Sequence, residues 1–210
     1  MTKILIADDH KIVRQGLKQF LALAPDLRVA GEAASGQEVL DSLARTPCDL
    51  LLLDLTMPGL SGVELIRKIR QGSAPPRILV LSMHNEGQLV SRALKAGAAG
   101  YLTKDSDPEM LIAAIRKVAA GGRYIDPSLV DKMVFDHGMG ERLPHSQLSD
   151  REFYVFQRLL AGESINAIAS SLSISAKTVS TYKLRLMQKM QMDSMPELIR
   201  YGVQHQLMSL

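Results

Sequence analysis

Three carboxylates stand where predicted strands end, which favours chemistry over packing. Asp54 closes the apolar run of residues 49–54, and the loop residues 56–59 follow at once. Such a run is typical of a strand buried on both faces of a parallel sheet. Asp8 and Asp9 end an earlier apolar run in the same way. Because open α/β sheets bind ligands at the carboxyl ends of their strands, these acids are predicted to share a functional edge.

Carboxylates that lie this close together need a cation, and a hard divalent ion such as Mg²⁺ with oxygen ligands would satisfy them. Ser82 ends the fourth predicted strand and Lys104 follows the fifth. An aspartate nucleophile, Mg²⁺, a hydroxyl and an ammonium together form a phosphoryl-acceptor site. Each residue alone is more often an ordinary turn or cap residue. The prediction therefore rests on the set, with Asp54 as the acceptor.

The elements that must position these residues form five β–α pairs over the first 120 residues or so. Strands alternating with helices predict a doubly wound, five-stranded parallel sheet with helices on both faces. The predicted strands cover residues 3–8, 28–34, 49–54, 77–82 and 99–103, and the helices cover 10–23, 35–44, 61–70, 85–96 and 107–120.

The remainder of the chain has a different residue pattern, which predicts a second, smaller, all-α domain. Glycines, a proline and scattered charge mark a linker, with a short helix near residues 128–134. From residue 148 onward only helical patterns appear, and residues 164–190 read as helix, turn, helix. We therefore predict a first domain over 1–121, a linker over 122–146 and a helical domain over 147–210.

Charge and composition narrow the classes of function. The chain has 210 residues and a net charge of +3, but residues 164–192 contain no Asp or Glu and four Lys or Arg. Such a basic helix predicts a phosphate-contact surface, although an ordinary solvated helix face gives the same pattern. The single cysteine excludes a disulfide framework. No signal peptide and no apolar stretch of about 20 residues stands out, which predicts a cytoplasmic protein without a membrane span.

Four segments resemble the receiver domain of bacterial two-component response regulators: Ile4–Asp9, Leu51–Gly59 with Gly62, Leu79–Ser82 and Gly97–Lys104. The resemblance covers about residues 1–121 and implies a flavodoxin-like fold. It implies phosphorylation of Asp54 by a sensor histidine kinase. It also implies Mg²⁺ bound by Asp9, Asp54 and the backbone carbonyl of Thr56, with Asp8 acting through water. Ser82 and Tyr101 match the family's switch positions, at which the hydroxyl moves toward the phosphate and the ring turns inward.

The helical end resembles the LuxR-type helix-turn-helix in Leu148–Glu152, Leu160–Ile165, Ile168–Ala169 and Ile174–Val179. A receiver joined to this module is similar to the NarL/FixJ family. That resemblance implies promoter DNA as a partner, a homodimer on DNA, and RNA polymerase as a further candidate partner. The base-facing residues are expected to be Ser180, Thr181 and Leu184, with phosphates contacted by Lys177, Thr178, Lys183 and Lys189.

The predicted function is therefore a phosphorylation-controlled transcription regulator without a catalytic residue. A haloacid-dehalogenase-type phosphatase would need a second acid where Thr56 stands. A dinucleotide-binding enzyme would need a Gly-x-Gly-x-x-Gly motif where Asp8 and Asp9 stand. A stand-alone interaction module that takes no phosphate stays open. The last predicted helix could pair two copies or pack on its own bundle.

Overall fold

The computed structural model describes residues 1–57, 59–60, 62–85, 87–130, 143–172, 174–205 and 207. The chain divides into two compact units, Met1–His137 and Gly138–Leu210, and each is described by itself. Among the described residues, every helix is too short or too polar to cross a membrane.

The first unit alternates strands and helices around one parallel sheet in the order β2-β1-β3-β4-β5-β6. Its strands are β1 (Thr2–Ala7), β2 (Leu27–Ala33), β3 (Leu50–Leu53), β4 (Arg77–Ser82), β5 (Gly100–Thr103) and β6 (Tyr124–Ile125). Its helices are α1 (Lys11–Leu21), α2 (Gly36–Arg45), α3 (Gly62–Arg70), α4 (Gly87–Ala96) and α5 (Pro108–Ala119). The predicted α/β fold is confirmed.

The core explains why the acids meet at one edge. All four leucines of β3 are buried, as expected for a strand covered on both faces. Alternate residues of the central strands, Leu50 and Leu52 among them, pack in one cluster with α5. The register pairs Ala7 with Leu53 and Ser82 with Thr103, so the residues that follow these strand ends emerge level with one another.

The sheet has six strands, one more than the sequence pattern predicted. The added strand, β6, pairs with Gly100 and Tyr101 of β5. It was missed because two residues are too short to show alternation, and because they follow Gly121–Gly122, a typical stop signal. A Cβ at Gly100 would lie 2.7 Å from the carbonyl oxygen of Tyr124, so a glycine lets β6 approach.

Strand β6 falls in the segment predicted as the linker, and residues 127–130 after it are helical. The rest of the short helix predicted near 128–134 lies outside the described residues. The sheet thus extends past residue 121, while the predicted domain limits stay predictions.

In the second unit, every regular element among the described residues is helical. A 3₁₀ turn at Pro144–Gln147 precedes α6 (Asp150–Leu160), α7 (Ile165–Leu172), α8 (Ala176–Met190) and α9 (Met195–Gln204). Serine side chains cap α6, α8 and α9, because each accepts a hydrogen bond from the backbone N–H three residues later. Their apolar faces form a small core that includes Phe153, Phe156, Val179, Leu186 and Leu198.

Candidate phosphoacceptor site and nucleic-acid interface

The sheet edge brings together Asp54, Asp8 and Lys104. Both carboxylate side chains are only 3% exposed. The Lys104 Nζ donates to Asp54 Oδ2 at 2.8 Å and lies 2.7 Å from Asp8 Oδ2. The ammonium therefore bridges two buried carboxylates that follow β1 and β3, an arrangement that would be unstable without a positive partner.

Burial and pairing shift the titration of this trio. Burial raises the pKa of Asp54, and the hydrogen bond and charge of Lys104 only partly oppose that rise. Burial also disfavours the ammonium of Lys104, but its hydrogen bonds to Asp54 and Asp8 outweigh this, so the pKa of Lys104 is raised. The lysine consequently stays charged in the neutral range, which is what holding an anionic group requires.

A group of four side chains that could hold a metal ion includes both buried carboxylates. Asp8, Asp9, His10 and Asp54 each offer one ligand atom, and these atoms lie within 4.8 Å of one another. His10 Nδ1 is 2.9 Å from Asp9 Oδ1, and the His10 N–H donates to Asp8 Oδ1 at 2.7 Å. Converging carboxylate oxygens are the donors that Mg²⁺ prefers, so the set fits the predicted ion. His10 was not predicted; its place directly after two acids was the available signal.

A second histidine joins the predicted switch residues. The N–H of His84 donates to the hydroxyl of buried Ser82 at 3.3 Å, and its Nε2 lies 3.1 Å from Thr56 Oγ1. Tyr101, whose ring is buried, donates its hydroxyl to the carbonyl oxygen of His84 at 2.8 Å. The Thr56 N–H itself donates to Asp54 Oδ1 at 3.2 Å. Sequence reasoning missed His84, since a lone histidine after a strand carries no pattern.

The predicted DNA-contacting residues lie on α8, apart from the acidic site in sequence and in a separate unit. Lys177, Ser180, Thr181 and Leu184 are exposed, and Leu184 is 60% exposed despite being apolar. Thr178 and Lys183 are half-buried. The opposite side of α8 is buried through Val179, Leu186 and Met190.

The small hydroxyls of α8 are tied to their own helix. The Ser180 hydroxyl donates to the carbonyl oxygen of Ala176 at 2.9 Å, and the Thr181 hydroxyl donates to that of Lys177 at 3.0 Å. Their oxygens can still accept hydrogen bonds from base amino groups.

Lys189 differs from the other predicted contacts. Its Nζ donates to Glu152 Oε2 at 2.6 Å, and the Glu152 side chain is only 4% exposed. Burial opposes the charge of Glu152, but the hydrogen bonds from Lys189 and Ser149 lower its pKa below the usual value. A phosphate contact by Lys189 would have to share an ammonium that already joins α8 to α6.

Comparison with known families shows which class of protein has this geometry. The family described as "Response regulator receiver domain" matches residues 4–116. The chain belongs to the response regulators. A second family, "Bacterial regulatory proteins, luxR family", matches residues 146–202, so this response regulator joins a receiver to a LuxR-type module and is of the NarL/FixJ type.

Several relatives match this chain along nearly their whole length. The response regulator UvrY of Escherichia coli K12 is 34% identical over 209 residues, which are 99% of this chain and 96% of UvrY. A structure of RcsB from Salmonella enterica serovar Typhimurium bound to promoter rprA with the phosphomimetic BeF₃⁻ is 28% identical, with a TM-score of 0.72, covering 96% of this chain and 98% of RcsB. A structure of two RcsB dimers bound to two parallel DNAs has 26% identity and a TM-score of 0.61, covering 96% and 98%.

The family also decides against two of the open alternatives. The matched relatives are DNA-binding transcription regulators and not enzymes, which removes the phosphatase and the dinucleotide-binding enzyme. Thr56 at the position where a phosphatase needs an acid is consistent with that outcome.

Proposed function

We propose that this response regulator accepts a phosphoryl group on Asp54 from a sensor histidine kinase and that this step controls promoter binding through α8. The observation that carries the proposal is the Lys104 ammonium, which lies 2.8 Å from a buried Asp54 carboxylate oxygen at the sheet edge. The carboxylate oxygen attacks phosphorus while the bond from phosphorus to the donor histidine breaks. Lys104 is then in place to hold a phosphoryl oxygen.

Mg²⁺ is the proposed cofactor, held by Asp9, Asp54 and the backbone carbonyl of Thr56, with Asp8 acting through water. When bound, the ion neutralises charge on the phosphoryl oxygens. The side chains around it divide the remaining work. Asp8 keeps the Lys104 ammonium in the site through its 2.7 Å contact. Asp9, which is exposed, faces the solvent from which an ion enters.

Ser82 and Tyr101 are the proposed switch residues, which respond to the phosphoryl group. Both contact His84, through its N–H and its carbonyl oxygen respectively. When the Ser82 hydroxyl turns toward a phosphoryl oxygen, it gives up the His84 N–H, and the segment carrying His84 is released from one anchor. Tyr101 holds the same segment through its hydrogen bond to the His84 carbonyl oxygen, so the two residues act on one stretch of backbone.

The proposed DNA interface is α8 in a major groove. Ser180, Thr181 and Leu184 face bases, whereas Lys177, Thr178, Lys183 and Lys189 contact phosphates. Support comes from the exposure of five of these seven side chains on α8: Lys177, Ser180, Thr181, Leu184 and Lys189. RcsB binds DNA as dimers, which supports a homodimer here.

Three further proposals concern the whole chain. RNA polymerase is a proposed partner, and the cytoplasm is the proposed compartment. The proposed domains are 1–121 and 147–210, joined by a linker over 122–146.

Radiolabelled acetyl phosphate with Mg²⁺ tests the acceptor. The wild-type chain takes label and Asp54→Asn does not, because an amide oxygen is too weak a nucleophile. The matched control is Asp49→Asn, which changes an exposed acid just before the same strand, where Asp49 accepts from the Lys3 N–H at 2.7 Å. That control keeps its label. Equal labelling of Asp54→Asn and wild type would refute the assignment.

A further inference from the structure

Asp126 is a buried carboxylate outside the acidic site, and the function described above leaves it without a role. It is 4% exposed and follows β6. Its donors among the described residues are hydroxyls and backbone amides. Burial opposes its charge, but the hydrogen bonds from Ser106 and Ser128 outweigh burial and lower the pKa of Asp126. A buried charge held by neutral donors is sensitive to the loss of any one of them.

The two oxygens of Asp126 bind two different segments. Oδ1 accepts from the N–H of Ser128 at 2.9 Å and from its hydroxyl at 2.7 Å, at the start of the helical residues 127–130. Oδ2 accepts from the hydroxyls of Thr103 at 3.2 Å and Ser106 at 2.5 Å. One carboxylate therefore joins the loop after β5 to the segment that leaves the sheet.

The loop that Asp126 holds is the one that carries Lys104. Thr103 and Ser106 flank this lysine, and their hydroxyls also lie 2.7 Å from each other. Lys104 is fixed at its other end by Asp54 and Asp8. The path from the acceptor carboxylate to the segment after β6 thus contains one lysine, one short loop and one carboxylate.

We propose that Asp126 is a positioning residue that couples the Lys104 loop to the segment leading away from the sheet. The inference rests on the proposed function, because it concerns what a phosphoryl group on Asp54 does to Lys104. When Lys104 exchanges the Asp54 carboxylate for a phosphoryl oxygen, the backbone of its loop shifts. The Thr103 and Ser106 hydroxyls shift with it, so Asp126 must turn or lose donors, and its hold on Ser128 changes.

The Ser128 amide reports this coupling directly, because its N–H is bonded to the Asp126 side chain. Hydrogen exchange at that amide is measured in the full-length chain with Mg²⁺, with and without beryllofluoride, and acceptor labelling is measured separately with acetyl phosphate. In the wild type we expect beryllofluoride to change the exchange rate of Ser128 by about fivefold, at the low end of usual coupling factors. In Asp126→Asn that response disappears, because the amide has one acceptor oxygen and cannot accept from the loop hydroxyls and from Ser128 at the same time.

Two single-hydroxyl variants guard against misfolding of Asp126→Asn. Ser106→Ala removes one of the two hydroxyl contacts from the loop, and Ser128→Ala removes the hydroxyl contact from the departing segment but keeps its N–H; both should reduce the response. Asp107→Asn is the matched control, since Asp107 is an exposed acid in the same loop with no side-chain capping bond. It should leave the response unchanged.

The outcomes separate the two proposals. If the wild type takes label and Asp126→Asn keeps the full Ser128 response, the coupling is refuted and the acceptor function stands. If the wild type takes no label, the acceptor function fails and the coupling fails with it. Label together with a response that vanishes in Asp126→Asn and is reduced in both serine variants supports both.

Discussion

Replacing Lys104 with methionine should destabilise the first unit strongly, and only when divalent metal is absent. The change keeps an unbranched side chain, one heavy atom shorter, but removes the cation between two carboxylates that are each 3% exposed. Removing one partner of a buried ion pair costs about 3–5 kcal/mol. Asp54 can relieve part of that cost by binding a proton. Protonation itself costs about 1.4 kcal/mol for each pH unit by which the pKa of Asp54 lies below the solution pH. We therefore expect a loss of about 3 kcal/mol at pH 7.

Hydrogen exchange at the amides of Leu51 to Leu53, measured in EDTA in the intact chain, gives the free energy of unfolding of this unit alone. Adding Mg²⁺ should restore most of the loss, because an ion that binds the folded site stabilises it by mass action. The matched control is Lys95→Met on α4, where the lysine is exposed. Adding Asp54→Asn to the Lys104 variant should also recover stability, since one buried charge is then gone. A loss no larger than that of the control would refute the bridging role of Lys104.

Three further expectations concern other parts of the chain. Glu152→Gln should lower the stability of the second unit by about 2 kcal/mol at neutral pH. Because the folded pKa of Glu152 is lowered, the wild-type advantage is full above about pH 4.5 and is lost as pH falls through that lowered pKa, which denaturation at several pH values measures. Gly36→Ala places a Cβ in a steric clash with the Leu60 carbonyl oxygen, so the melting temperature should fall by an amount equivalent to about 3 kcal/mol. Lys183→Ala should weaken binding to all duplexes and reduce the salt slope by about 1; an unchanged slope excludes a phosphate contact.

The sequence predicts the strand-end residues well because their position follows from periodicity alone. Asp8, Asp54, Ser82 and Lys104 end or follow buried strands, and parallel strands in register place such residues at one edge. The two histidines were not predictable in this way. His84 acts through its backbone as much as through its ring, and backbone contacts leave no trace in residue type.

Side-chain contacts between residues far apart in sequence were also not predicted. Lys189 looked like one of several free cations on a basic helix, yet it pairs with Glu152, 37 positions earlier. Nothing local in either helix indicates that partner, since it depends on how α6 and α8 pack. Asp126 was hidden for the same reason: its donors Thr103 and Ser106 lie 23 and 20 positions away.

The sixth strand bears on how this protein could be shortened. A fragment that stopped at residue 121 would lack Tyr124 and Ile125, and the backbone groups of β5 that they satisfy would face water. Bare strand edges of this kind recruit other chains and promote aggregation. The same truncation would remove Asp126, and with it the hydrogen bonds to the loop that carries Lys104. Retaining at least the first 130 residues should keep an isolated receiver monodisperse, whereas the shorter piece should self-associate.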